Sequence, residues 1–594
     1  MSKRILYTIF CFSLIALNLH ASRAVRFFKD ITLNDGRVVS ATLVGDEHVH
    51  FYKTTDGEII LYNQDDNCYY PASVEEIDSL KNISYNLEQQ NMNHARAMRS
   101  SITSTNNGRL SGFNLFPCTG NPKVLVLMVE FSDVSFSFGK EDIDKILNST
   151  EMTTEVNTEV TIGGRTKNIV TKSQGSVAEY FNHCSGGQFR PQFDIYGTFK
   201  LNKTAAYYSS REINFIKDAC EAAKDYVDFT QYDQDDDGFV DLIYIMFAGY
   251  SASWGNDNTI WPKSMYDETT GYCTIDGKKV HRVGMSNEIS FTPYYTNNYF
   301  NGEKQIVGIG VFCHEFCHAL GITDFYPNID TWTDKTWYDN QGMEDWSLMD
   351  GGENKHNGCL PTPLNAFERY LFGWIDDIQV LDEPAKVTLT PLQDGGQAYK
   401  ILGNNVNEYW IIEAIPSDDK WYMFFKSYTG TGMVVYHINS KISRFSAPTM
   451  VNGTHGKPGI TIVPADGRLI GYYNSNETIS DYEASMRGDP FPGTQKVTTL
   501  TDYWVRDSTI DKPIYDIVQN DDYSVSFRYR YLRGDANGDG EIGMPDVMFI
   551  VNYILGNPDP SFVALGADAN EDGEIGMPDV MYIVQYILNG KFPE

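Results

Sequence analysis

Residues 308–325 read GIGVFCHEFCHALGITDF. On a helix His314 and His318 lie four residues apart on one face, so both imidazoles can reach one tetrahedral zinc ion. Glu315 sits beside that metal without having to ligate it, where it can take a proton from water and deliver it to a leaving amine. Gly321 allows a sharp turn after the second histidine, and Asp324 can return as the third ligand. Two histidines satisfied in a core would explain the pair but not the whole run of His314, Glu315, His318, Gly321 and Asp324. Downstream, DWSLMDGG at 345–352 sets Met349 ahead of a glycine-rich turn, which can place a flexible thioether beneath the metal.

Around this stretch, PKVLVLMVEF (122–131) and DLIYIMFAG (241–249) have the apolar density of buried strands. The first half of SVAEYFNHCSGGQF (176–189) and NFIKDACEAAKDYV (214–227) have helical spacing. Alternating helices and strands predict an α/β domain, assigned to residues 113–380. Beyond it KVTLTPL, EYWIIEAI, GMVVYHIN and YSVSFRYRY predict a β-rich domain over 381–531, with a sandwich as its natural architecture. That domain either recognises substrate or buttresses the catalytic one.

The full length of 594 residues suits three or four domains. With 47 Lys plus Arg against 79 Asp plus Glu, the formal charge of −32 argues against nucleic acid or anionic lipid as partner and favours bound hard cations. Lys3 and Arg4 precede the apolar run ILYTIFCFSLIALNL (5–19), and HASRA follows, so residues 1–24 read as an export signal cut after Ala21 or Ala24. At 1.5 Å per residue such a run spans about 22 Å, short of a bilayer core of about 30 Å. No transmembrane segment is expected. Residues 25–112, with HVHFYKTTDGEIILYN and then an Asn-, Ser- and Thr-rich stretch, read as a propeptide and linker or as a small retained domain. The remaining cysteines are too sparse for a disulfide scaffold, and their pairing is open.

Carboxylates cluster in three places. DQDDDGFVD (233–241) sets Asp233, Asp235, Asp237 and Asp241 around Gly238, a spacing that wraps oxygens about calcium. GDANGDGEIGMPDVMFIVNYILG (534–556) returns as ADANEDGEIGMPDVMYIVQYILN (567–589). Asp535, Asn537, Asp539 and Asp546, and in the repeat Asp568, Asn570, Asp572 and Asp579, hold calcium-loop positions 1, 3, 5 and 12. Each loop is followed by only one apolar helix. Three structural calcium ions and one zinc are expected.

From roughly 113 to 530 the chain resembles the M6, immune-inhibitor-A-like secreted zinc metalloproteases of the metzincin class. SVAEYFNHCSGGQF, TIWPKS (259–264), PTPLNAFERYLFGWI (361–375), YWIIEAI with Glu413 and GMVVYHIN with His437 are similar to the family's other segments. The resemblance implies zinc ligands at His314, His318 and Asp324, Glu315 as general base, Met349 in a Met-turn, and a calcium ion at 233–241. Cys313 and Cys317 depart from it and read as buried cysteines or disulfide halves. The tyrosine that some metzincins use two residues after the Met-turn methionine is absent, because Gly351 occupies that place, which leaves the oxyanion helper unassigned. Cys68 is the only cysteine of the expected propeptide. Its thiolate could fill an open zinc position, although a buried thiol or a temporary disulfide partner is the plainer reading. Residues 532–594 resemble a dockerin, which implies calcium-dependent docking onto a cohesin-bearing protein, with Met544, Pro545, Met577 and Pro578 at loop positions 10 and 11.

The expected whole is a multidomain protein: an α/β metzincin-like zinc peptidase domain, a β-sandwich-like domain, and a small α-helical calcium-binding dockerin-like module. It would act outside the cell, surface-associated through that module, as an endopeptidase on protein or peptide substrates. A catalytically silent surface- or matrix-binding protein is the competing reading.

Overall fold

The computed structural model describes residues 18–20, 22–26, 28–83, 86, 116–150, 154–162, 165–173, 175–267, 270–290, 304–327, 342–355, 357–404, 407–416, 421, 430–440, 451–452, 458–471, 477–501 and 512–593. Most of the apolar leader and nearly all of the Asn-, Ser- and Thr-rich stretch lie outside these residues.

Residues 124–129 are apolar at every position, so strand Lys123–Glu130 has no polar face to offer water and takes an interior place. It lies between Ile243–Phe247 and Gln192–Lys200, parallel to both, and Arg282–Asn287 extends the parallel set. Lys263–Tyr266 and then Asn18–His20 add antiparallel strands at one edge. Period-two alternation sends Val124, Val126 and Met128 into one core and Leu125, Leu127 and Val129 into another. Helix Glu212–Ala223 covers the second face through Phe215, Ile216, Ala219 and Ala223. Helices Lys140–Asn148, Val177–Cys184 and Gly310–Ala319 cover the first. Every residue of Gly310–Ala319 is buried, and the Phe312 ring stacks on Tyr244 of the sheet with centroids 3.7 Å apart.

The expected strands of the β-rich region form at Ala385–Leu389, Glu408–Ile415, Gly432–Asn439 and Val525–Tyr529. They divide between a five-stranded and a three-stranded sheet. Trp410, Ile412 and Ala414 share a core with Val387, Ile514, Val525 and Phe527 of the smaller sheet. The alternate residues Ile411 and Ile415, with Val434 and Tyr436, join the core that holds the 310–319 helix. One strand thus packs on two sides. Between them Glu413 accepts Ala366 N–H at 3.2 and 3.3 Å and the Tyr436 hydroxyl at 3.0 Å, so its carboxylate sits at the positive N-terminus of helix Ala366–Phe372. The region packs against the preceding α/β domain at this face.

Residues 28–71 form a five-stranded antiparallel meander whose core, with Ile31, Leu43, Phe51 and Ile60, also receives Trp261 from the catalytic domain. At the far end, the repeat folds as helices Met544–Ile554 and Met577–Asn589, joined through Val547, Ile550, Val580 and Ile583. Among the described residues no helix is long and apolar enough to cross a membrane.

Candidate metal centre

The 310–319 helix holds His314 and His318 one turn apart on the same face. Gly321, at φ +105°, ends it in a conformation that side-chain-bearing residues avoid, and the chain doubles back. Asp324 returns to the histidines as its spacing predicts. His314 Nε2 is 3.2 Å from His318 Nε2, and Asp324 Oδ1 is 3.1 and 3.3 Å from those two nitrogens. A tetrahedral zinc with bonds of about 2.0–2.1 Å separates its donors by about 3.3 Å, so the triangle has zinc's dimensions.

The outer nitrogens fix the protonation of the inner ones. His314 Nδ1 is 2.9 Å from the Leu348 carbonyl and His318 Nδ1 is 2.8 Å from the Ile322 carbonyl. A carbonyl only accepts, so each Nδ1 donates, and each Nε2 of the neutral ring presents a lone pair. Two lone pairs and a carboxylate oxygen therefore converge on one buried point, an arrangement that a cation stabilises. Glu353, not foreseen from sequence, adds a second carboxylate 3.6 Å from His314 Nδ1.

Met349 is fully buried, and its backbone is tied to the site's return segment. Leu348 holds His314, while the Met349 carbonyl accepts Phe325 N–H at 2.7 Å, just past the third donor. Ser347 Oγ accepts Met349 N–H at 3.0 Å and donates to Glu368 Oε1 at 2.5 Å. Glu368 also closes the capping box of helix Ala366–Phe372, so this helix and the turn are built on one carboxylate, which burial pushes up to about 7 against the hydrogen bond from Ser347. Cys313 and Cys317 lie in the hydrophobic core with free thiols, apart from the three donors. Cys68 starts the last strand of the N-terminal meander, and it too is a free thiol outside the donor cluster.

Glu315 is completely buried. Burial pushes its carboxyl up to about 8, with the neighbouring His314 pulling the other way. Its Oε1 accepts both the backbone N–H and the hydroxyl of Ser22 at 2.9 Å, while Oε2 has no hydrogen-bond partner among the described residues. Sequence reasoning assigned Ser22 to the tail of an export signal. Here Asn18–His20 runs antiparallel to Ser264–Tyr266, and Trp261 donates its indole N–H to the Ser22 carbonyl at 2.7 Å. Arg23 follows into a pocket of Glu344, Asp345 and Asp350, and Ala24 N–H bonds the Gly45 carbonyl of the meander at 3.0 Å. The polar HASRA stretch after an apolar run was the only hint of this contact.

The three carboxylate loops share one backbone pattern. Asp233 accepts the N–H groups of Asp237 and Gly238 at 3.0 Å each. Asp535 accepts those of Asp539 and Gly540, and Asp568 those of Asp572 and Gly573, at 2.9–3.1 Å. Each fifth-position aspartate then accepts the N–H two residues on at 2.8 Å. Asp233, Asp235 and Asp237 converge tightly enough to hold an ion, and the Lys278 ammonium pairs with Asp233. Asp241 faces Gln234, whose backbone and side-chain N–H groups it accepts at 3.2 and 2.6 Å. Burial pushes its carboxyl up to about 6 against those bonds. In the repeats Asp546 and Asp579 accept the N–H of Asn537 and Asn570 at 3.1 and 3.0 Å, closing each loop onto its helix.

A converging two-histidine, one-carboxylate cluster with a glutamate beside it can hold a metal ion. The family comparison supplies its context. Residues 118–373 match the immune inhibitor A peptidase M6 catalytic domain, and residues 533–588 match the dockerin type I domain. The chain thus carries a peptidase domain of M6 type, followed toward its C-terminus by a dockerin type I domain. No curated protein matches it.

Proposed function

We propose that the protein is a secreted zinc endopeptidase of metzincin-like fold, made as a zymogen, that hydrolyses internal peptide bonds in proteins. The observation that carries this reading is the triangle of His314, His318 and Asp324 donors, with zinc dimensions and lone pairs directed inward. Bound there, zinc would polarise the scissile carbonyl and lower the pKa of water. Glu315 accepts the proton of the attacking water and passes it to the leaving nitrogen, which separates from the new carboxylate as a neutral amine. Leu348 and Ile322 hold the two imidazoles in the tautomer that leaves Nε2 free for the metal. Met349 acts as the Met-turn, its backbone tying the ligand helix to the return segment.

Ser22 occupies Glu315 and Arg23 fills the pocket of Glu344, Asp345 and Asp350, so a substrate chain enters only after this segment leaves. That supports the zymogen reading, with residues 25–112 as propeptide and Ser22–Ala24 joined to it when the signal is cut after Ala21. Of the two signal cuts, the one after Ala21 retains the contact. Hydrolysis of an unfolded protein by the processed chain, with one zinc per molecule by metal analysis, tests the assignment. A processed, zinc-loaded chain that hydrolyses nothing would overturn it.

The β-rich region, read as a sandwich, serves as buttress. Three calcium ions belong at 233–241, 535–546 and 568–579, the first stiffening the catalytic domain. A site kept at 100 times its dissociation constant contributes about 2.7 kcal/mol to stability. Calcium chelation is therefore expected to unfold the C-terminal helices and open the 233–241 loop to proteolysis, read by circular dichroism and by the positions of cleavage. Unchanged helicity and cleavage would remove the calcium assignments. The same helices expose Met544, Met548, Ile554 and Leu555, and one repeat later Met577, Met581, Ile587 and Leu588. These matching apolar faces suit docking onto a cohesin-bearing protein, which would hold the peptidase at an extracellular surface.

A further inference from the structure

The pocket beside the metal centre carries a second piece of chemistry. Glu344 and Asp350 are fully buried and the Asp345 side chain is 8% exposed, yet all three carboxylates surround one guanidinium. Arg23 Nη1 lies 3.0 Å from Glu344 Oε2 and 3.0 Å from Asp350 Oδ1, and Nη2 lies 3.8 Å from Asp345 Oδ1. Three carboxylates withdrawn from water repel one another strongly unless a cation is among them. Lys355 also stands near Asp345, but burial pushes its ammonium down to about 7, against the pull of that carboxylate, so it neutralises the group only in part.

The pocket is shaped for a long side chain. A Cβ at position 351 would stand 2.0 Å from Arg23 Nη2 and 2.5 Å from Asp345 Oδ1, so Gly351 leaves the space the guanidinium fills. The rear of the pocket is rigid, because Asp350 Oδ2 accepts the N–H groups of Met343 and Glu344 at 3.0 and 2.8 Å. Its register is set by Ser22, whose nitrogen touches Glu315, the group that delivers a proton to the leaving nitrogen. The chain after Ser22 therefore follows the path of the leaving half of a substrate, and Arg23 shows which side chain that path accepts.

We propose that the enzyme selects substrates with an arginine or lysine on the leaving-group side of the scissile bond, the cation seated between Glu344, Asp345 and Asp350. The proposal rests on the peptidase reading and adds its specificity. When the N-terminal segment leaves, a substrate's basic side chain takes the place of Arg23 and restores the charge balance.

The test uses the processed, zinc-loaded protein on a peptide library, with the new N-termini identified by mass spectrometry. Arginine and lysine should be enriched at the first or second position of those termini. Replacing that arginine by neutral citrulline should lower kcat/KM by at least about 30-fold, the lower bound for unpairing a buried charge. Glu344→Gln should narrow this ratio, and Asp345→Asn, at the more exposed edge, serves if the first variant does not fold. In parallel, calorimetry on the processed Glu315→Gln protein should show Ser-Arg-Ala amide binding more tightly than its citrulline counterpart. Cleavage without basic enrichment and without discrimination against citrulline would overturn the pocket and leave the peptidase reading intact. No cleavage at all would overturn the peptidase reading, and calorimetry then decides the pocket alone: tighter binding of the arginine peptide supports it, and equal binding refutes it.

Discussion

Glu315→Gln is expected to keep its zinc and lose at least about 100-fold in the hydrolysis of an unfolded protein, the low end of what a positioned acid–base group contributes. Glutamine has the shape of glutamate and fills the same buried space, so the 310–319 helix and its two imidazoles should stay in place. What disappears is the capacity to hold a proton. The structure makes this loss hard to replace, since Oε2 of Glu315 is buried with no hydrogen-bond partner among the described residues. Metal analysis beside the activity assay separates the chemical defect from a folding defect. Full activity in a zinc-loaded variant would remove Glu315 from the reaction.

Asp324→Ala is expected to fail one step earlier, at the metal. Even outer partners of zinc ligands are worth about 10–100-fold in affinity, so removal of a direct ligand should weaken binding by at least about 100-fold. Asp324 is the only carboxylate among the three converging donors, and without it two neutral imidazoles remain to hold the ion. Zinc bound per chain, measured after dialysis against a competing chelator, should fall to a small fraction of wild type. Retention of zinc at wild-type affinity would show that Asp324 does not ligate.

The convergence of the three donors was legible in sequence because it is local. His314, His318 and Asp324 follow one another within a helix and its turn, where local geometry brings donors together. The 33-residue repeat was legible for the same reason, since each loop satisfies its own first aspartate. The parallel strands were visible as unbroken apolar runs, such as 124–129. Contacts across long separations were not. Glu344, Asp345 and Asp350 look like ordinary acids near Met349, and nothing local says that Arg23, more than three hundred residues earlier, answers them. Glu368 and Glu413 likewise read as helix and strand carboxylates until the fold brings them to buried N–H groups. The function of Ser22 was hidden for another reason: small residues after an apolar run already had a sufficient meaning as a cleavage site.

The buried face of Glu408–Ile415 favours one side of the choice the sequence left open, the buttress. A strand used only for substrate recognition would keep one side available, whereas Ile411 and Ile415 are spent on the catalytic core. The packing is physically continuous with the site, because Glu413 holds helix Ala366–Phe372, whose Glu368 holds Ser347 next to Leu348, the residue that bonds His314.

The most direct measurement follows the processed protein with an unfolded protein substrate through removal of metal and its return. The account predicts new termini inside the substrate chain, their disappearance when zinc is stripped by a chelator, and their recovery on adding zinc in equimolar amount. Internal cleavage that continues after zinc has been removed would contradict it.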